Sequence, residues 1–277
     1  MSKTLQEIGG NAIVYAYPNG DFDILCAAER IFHPEGWEES WASGDGERVK
    51  PAPRTKDKKA QGDDRLRSMR RARAKLRRLA LSNEFQWFVT LTLDPAKIDR
   101  FDPKTIMAKV NRWLDNMVRR NGLRYVLVPE QHKDGAYHFH GFFAGDLRIL
   151  DSGTIDLPGE AKPKRPRNEA QRAEWLAAGG RIVYNLPQWD LGFTTALELY
   201  GTYSQAVAYV CKYIGKQEGE RPMGRWYYSG GDLKDPTKLY TTLDYRDIER
   251  EYQGEAVTFS VPGTQMIVVH HRKDKEE

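Results

Sequence analysis

The chain has 277 residues, 40% apolar and 30% charged, with a net charge of +4, a length that suits one large domain or two small ones with a real core. No window approaches the ~18 uninterrupted apolar residues of a membrane span, and the opening MSKTLQEIGG lacks the apolar stretch of a secretory signal. Two cysteines, Cys26 and Cys211, support neither a disulfide framework nor a zinc-finger cluster, so a reducing cytoplasm is expected.

Residues 12–17 and 22–27 read as a hairpin around Asn19-Gly20, a tight-turn pair. Residues 34–62 are rich in Gly, Pro and charge and read as a linker, so 1–62 is expected to be an N-terminal hairpin and linker. Asp63-Asp64 then opens a basic helix, 63–82, with acids placed favourably against the macrodipole. Leu66, Met69, Leu76 and Leu79 give it a thin apolar stripe. Arg65, Arg67, Arg70, Arg71, Arg73, Lys75, Arg77 and Arg78 cover the rest. From Glu47 to Leu79, 14 Lys/Arg stand against four Asp/Glu, while the remainder of the chain is slightly acidic. That asymmetry points to a polyanionic partner; on charge alone, a solvated linker accounts for it equally well.

Residues 83–218 have the most regular pattern. Trp87 to Leu93 is aromatic and β-branched and reads as a buried strand. Asp102-Pro103 starts a helix whose apolar face is Ile106, Val110, Trp113, Leu114 and Met117, and Asn121-Gly122 ends it. Tyr125 to Glu130 and Tyr137 to Phe143 are two further strands. This β-α-β-β order predicts an α+β fold, a ferredoxin-like or RRM-like antiparallel sheet with helices on one face, extended by the basic helix and a C-terminal hairpin. Residues 147–180 read as an insertion with a short helix near 168–178. Strands are expected at 182–184 and within 189–199, and a helix from Ser204 to Lys216. In the C-terminal extension, 219–277, a hairpin joins Ala256–Val261 to Met266–His270 through Pro262-Gly263, and the HRKDKEE end looks disordered.

His138-Phe139-His140 carries the chemistry. Side chains alternate on a strand, so both imidazoles share one sheet face. Glu130 ends the preceding strand, and the turn brings it near the pair. Two imidazoles and a carboxylate make a three-ligand metal site with positions left for water and substrate; two half-buried packing histidines are the plain alternative. In the helix SQAVAYVCKYIGK, Tyr209, Lys212, Tyr213 and Lys216 fall on one arc, and Val207, Val210, Cys211 and Ile214 lie opposite. The tyrosines are either chemical groups or packing residues.

Together these elements resemble the HUH endonuclease superfamily. His138-Phe139-His140 fits its His-hydrophobic-His motif, Glu130 its preceding glutamate, and Phe88-Val89-Thr90-Leu91-Thr92-Leu93 its upstream strand motif. Its Tyr-x-x-Lys motif occurs twice in tandem, as Tyr209-Val210-Cys211-Lys212 and Tyr213-Ile214-Gly215-Lys216. The tandem form, together with Trp189-Asp190-Leu191-Gly192-Phe193, resembles rolling-circle replication initiators of small single-stranded DNA phages and plasmids. The resemblance implies an enzyme acting in a bacterial host cytoplasm on single-stranded DNA at a replication origin. There a tyrosine attacks a phosphodiester, leaving a 5′-phosphotyrosine and a free 3′-hydroxyl, and strands are later rejoined. It implies Mg²⁺ or Mn²⁺ on His138, His140 and Glu130, with Tyr209 and Tyr213 as nucleophiles and Lys212 and Lys216 as cations beside the phosphate.

On that reading Arg67, Arg70, Arg71, Arg73, Arg77 and Arg78 would contact phosphates. Arg225 and Trp226, in the aromatic segment 224–230, would meet unpaired bases, although that segment equally suits a strand packed on the core. No G-x-x-x-x-G-K-[ST] phosphate loop occurs, so strand separation and synthesis are assigned to a host helicase and polymerase. A transposase or relaxase would share the chemistry, and a non-catalytic nucleic-acid-binding module would bind without cleaving.

Overall fold

Strand propensity, helix caps and glycine turns set the element order of the computed structural model, which describes residues 9–29, 31–33, 58–199, 203–214, 221–261 and 263–272. In chain order the described elements begin with β1 (Ala12–Ala16), β2 (Phe22–Ala27), α1 (Lys58–Leu81), β3 (Trp87–Leu93), α2 (Pro103–Asn121), β4 (Arg124–Gln131) and β5 (Tyr137–Ala144). They continue with β6 (Leu150–Asp156), α3 (Glu169–Ala177), β7 (Arg181–Asn185), β8 (Gly192–Glu198) and α4 (Tyr203–Tyr213). The last are β9 (Tyr228–Gly230), β10 (Thr237–Thr241), α5 (Tyr245–Glu251), β11 (Ala256–Val261) and β12 (Thr264–His271). The architecture is the expected α+β class, built on two antiparallel sheets. None of the helices is long and apolar enough to cross a membrane.

The chain divides into two compact units. The first comprises Met1–Ala60 and Asp235–Glu277. Its sheet runs β10-β1-β2-β12-β11. The expected β1–β2 and β11–β12 hairpins are both present, and they pair through β2 and β12. Ala12, Ile24, Cys26, Ile267 and Val269 pack with Ile248 of α5. Neither β10 nor α5 carried a clear signal in the sequence; most of β10 is exposed, so no apolar alternation marks it.

The second unit is Gln61–Lys234, with sheet order β6-β7-β8-β3-β5-β4-β9. The inner strands β8-β3-β5-β4 follow the 4-1-3-2 order of a ferredoxin-like sheet when numbered along the chain. α2 forms where the sequence placed it. The Asp102 carboxylate accepts from the Lys104 and Thr105 N–H groups, and Gly122, at φ 59°, turns the chain away while its N–H bonds back to the last turn. Its face of Ile106, Val110, Trp113, Leu114 and Met117 covers Val89, Leu91, Leu93, Leu127, Phe139 and Phe143. Full burial of such side chains contributes roughly 1.5–3 kcal/mol each.

The helices do not all lie on one face. β3, β4 and β5 also bury Val126, Val128 and Phe142 on the face opposite α2. There Tyr203 at the start of α4 touches Phe142, and Tyr213 at its end stacks on His140. The reason lies in the strands: β4 and β5 are apolar in consecutive positions, so both of their faces need cover.

Two other boundaries differ from expectation. α1 starts at Lys58, five residues early, because Lys58, Lys59, Ala60 and Gln61 are good helix formers. The 147–180 stretch also contributes β6, whose polar Leu150–Asp156 sequence pairs with β7 through a bulge between Asp151 and Thr154 and buries Ile155.

Candidate metal and tyrosine site

Strand register builds the site. Glu130 of β4 lies directly opposite His138 of β5, and Val128 lies opposite His140. On the other side of β5, Thr92 faces His138 and Thr90 faces His140. Directly opposed residues share a sheet face, so Glu130, His138, His140, Thr90 and Thr92 all project from the face away from α2.

The ligand atoms of Glu130, His138 and His140 lie within 4.8 Å of one another. Glu130 Oε2 is 2.8 Å from His140 Nε2 and 3.9 Å from His138 Nε2. His138 Nε2 is buried with no hydrogen-bond partner among the described residues. Burial is the main cause that pushes His138 down to about 4, helped by His132 and His140 and opposed by Glu130. At neutral pH its imidazole is therefore neutral, with a lone pair to give a cation. His140 Nδ1 lies 3.1 Å from Thr90 Oγ1. If the Nδ1–H donates to that hydroxyl, His140 Nε2 is left as an acceptor toward Glu130 and any shared cation. An orphaned imidazole nitrogen, a second oriented imidazole and a carboxylate fit a divalent cation. Two nitrogens with one oxygen suit Mn²⁺ better than Mg²⁺. His132 sets its ring edgewise 3.6 Å from the His138 ring but lies outside the group of three.

α4 brings the tyrosines to this group. The Tyr213 ring stacks on His140 at 4.3 Å and 12°. Its hydroxyl donates to the Tyr209 hydroxyl at 2.6 Å. Tyr209 packs edgewise on Phe88, the residue of β3 that precedes Thr90 on this face. The two phenols differ in access: Tyr209 is 49% exposed and Tyr213 only 8%. Burial, then the hydrogen bond to Tyr209, holds the Tyr213 phenol well above the ordinary tyrosine range. Tyr213 thus both packs and touches the site; the two sequence alternatives are not exclusive. Lys212 is exposed on the same helix, and Lys216 lies outside the described residues.

α1 packs beside α4. The Arg73 guanidinium donates to the Ile214 carbonyl, and Tyr203 Oη donates to the Ala80 and Asn83 carbonyls. Arg67, Arg70, Arg71 and Arg73 are exposed, and Arg77 and Arg78 are half-buried. Arg67 approaches Asp64 at 3.9 Å. Arg225 is exposed over the Tyr228 ring. Trp226 is buried, with its indole N–H donating to Ser68 Oγ, so here it is a packing residue.

Residues 86–218 match a family model for replication-associated proteins of the ORF2 type. The matched stretch holds β3, β4, β5, β8 and α4, and with them Thr90, Glu130, His138, His140, Tyr209 and Tyr213. No curated protein and no solved structure matches the chain. Sequence reasoning quoted Thr90 within a motif but gave it no task. Its cross-strand position opposite His140 was readable only once the β3–β5 register was known.

Proposed function

We propose that this protein starts rolling-circle replication by nicking single-stranded DNA at an origin through tyrosine attack, and later rejoins the strands. One observation carries the reading: two hydrogen-bonded tyrosine hydroxyls stand against a His-Glu-His cluster suited to a divalent cation. The family match supports the replication role.

His138, His140 and Glu130 would hold Mg²⁺ or Mn²⁺. When bound, that cation polarises the scissile phosphate and offsets charge on its oxygens. Tyr209, the accessible phenol, makes the first attack. Its oxygen bonds to phosphorus, the P–O3′ bond breaks, and the leaving 3′-oxygen takes a proton. The DNA keeps a 5′-phosphotyrosine link and gains a 3′-hydroxyl that a polymerase can extend. The link remains a phosphodiester, so the reverse attack by a 3′-hydroxyl rejoins strands without ATP. Tyr213, one helical turn on, is the second nucleophile for the regenerated junction. The proton it donates to Tyr209 steadies the developing phenolate of its neighbour. Thr90 holds His140 in orientation. The arginines of α1 and Lys212 supply positive charge along the DNA backbone.

The test is incubation with single-stranded DNA of its own replicon and Mn²⁺. The expected product is a denaturation-resistant protein–DNA adduct that EDTA prevents. The double variant Tyr209→Phe, Tyr213→Phe should form none while still binding DNA. An adduct that persists in the double variant would remove these tyrosines from the mechanism.

A further inference from the structure

The row of residues that carries the metal cluster extends further across the sheet. Glu130 faces His138, His138 faces Thr92, and Thr92 faces Phe193 of β8. All four therefore project from one face. Over β4 and β5 that face is closed: Val126, Val128 and Phe142 are buried. Over β3 and β8 it is open: Thr195 is exposed, and Phe193 is 65% exposed. A phenyl ring on a sheet ordinarily gains from burial, and this one does without it.

The backbone beneath Phe193 is firmly held. Trp189 is buried edgewise on Trp113, and its indole N–H donates to the Thr92 carbonyl. The Lys97 ammonium donates to the Asp190 carbonyl, and the Asp94 N–H to the Leu191 carbonyl. A Cβ at Gly192 would collide with the Thr92 carbonyl oxygen, so only glycine lets β8 begin this close to β3. Every residue from Trp189 to Gly192 is thus used to fix the chain, and the next side chain is left in solvent.

Resting on the nuclease reading above, we propose that Phe193 is a base-stacking platform that holds one unpaired base of the single-stranded DNA beside the scissile phosphate. Two inter-strand spacings separate it from His138, ~10 Å in all. That span covers no more than about three base steps at the ~3.4 Å spacing of stacked DNA. The stacked base is therefore one to three nucleotides from the cut. Stacking accepts any base, so Phe193 positions the strand and leaves sequence choice to other residues.

Anisotropy titration of a fluorescein-labelled oligothymidine in EDTA tests this without cleavage. Phe193→Ala and Phe193→Leu should each weaken binding roughly 5- to 100-fold, while Phe193→Tyr and Phe193→Trp stay within about twofold. On an abasic oligomer of equal length, wild type and Phe193→Ala should bind alike. Unchanged binding by Phe193→Ala, rescue by Phe193→Leu, or the same loss on the abasic oligomer would each overturn the platform. Failure of wild-type protein to form an EDTA-sensitive adduct would instead sink the nuclease reading, and would leave the stacking contrast to be judged separately.

Discussion

Both sheets of this protein carry a pair of histidines on a strand beside carboxylates, and only one pair can converge. His138 and His140 are two residues apart on β5, share a face, and meet at Glu130. His270 and His271 are adjacent on β12, so they diverge. His270 Nδ1 reaches buried Asp23 at 2.8 Å, and His271 lies 3.4 Å from Glu255 and stacks on Phe22. Residue types and neighbours are similar; a spacing of two against one separates a candidate cation site from two independent packing contacts.

The contrast breaks most visibly on activity. His138→Ala should lower adduct formation by more than about 100-fold with an unchanged far-UV spectrum, since it removes a ligand rather than a packing contact. His271→Ala should leave the adduct yield as in wild type. If both variants behave alike, the spacing argument is wrong.

A second effect is on stability against pH. His138 is depressed to about 4 in the folded protein and returns to about 6.5 when unfolded. The unfolded chain therefore binds the extra proton first as pH falls. Metal-free protein should be fully stable above about pH 6.5, lose up to about 3 kcal/mol on the way down to about pH 4 from this group, and lose no more from it below. Urea denaturation at stepped pH measures this, and His138→Gln should flatten the profile in that window.

The hydroxyl behind the site gives a smaller change. Thr90→Val keeps the strand but removes the partner of His140 Nδ1. Mn²⁺ affinity by titration calorimetry should fall about 10- to 100-fold. Smallest is His270→Ala, which removes one partner from the buried Asp23 carboxylate while Tyr17 still donates to it. A loss of about 1 kcal/mol in urea unfolding is expected, with DNA chemistry untouched.

The parts of the molecule visible in the sequence were those where one short rule decides the outcome. His-x-His on an aromatic strand, Asp-Pro before an amphipathic helix and Asn-Gly after it each specify local geometry within a few residues. The α+β class followed from their order. What stayed hidden needed long-range pairing. β9, β10 and β6 are short or polar strands whose partners lie far along the chain, and no local alternation marks them. The burial of Trp226 depends on Ser68, 158 residues away. The tyrosines were legible as a helical face. That Tyr213 would lie flat on His140 while Tyr209 stays open depended on α4 crossing the second face of the sheet, which a one-sided layer of helices would have forbidden.

The central claim is that a phenol beside the His-Glu-His group becomes joined to DNA, and mass spectrometry of the adduct reads this most directly. Trypsin cuts after Arg181, Lys212 and Lys216, so Tyr209 and Tyr213 fall on different peptides. With Mn²⁺ and a nicked single strand, the nucleotide remnant should sit on Tyr209 within peptide 182–212, and in a Tyr209→Phe variant on Tyr213 within 213–216. A remnant on any other residue, or none on either peptide while DNA is cut, would contradict the account.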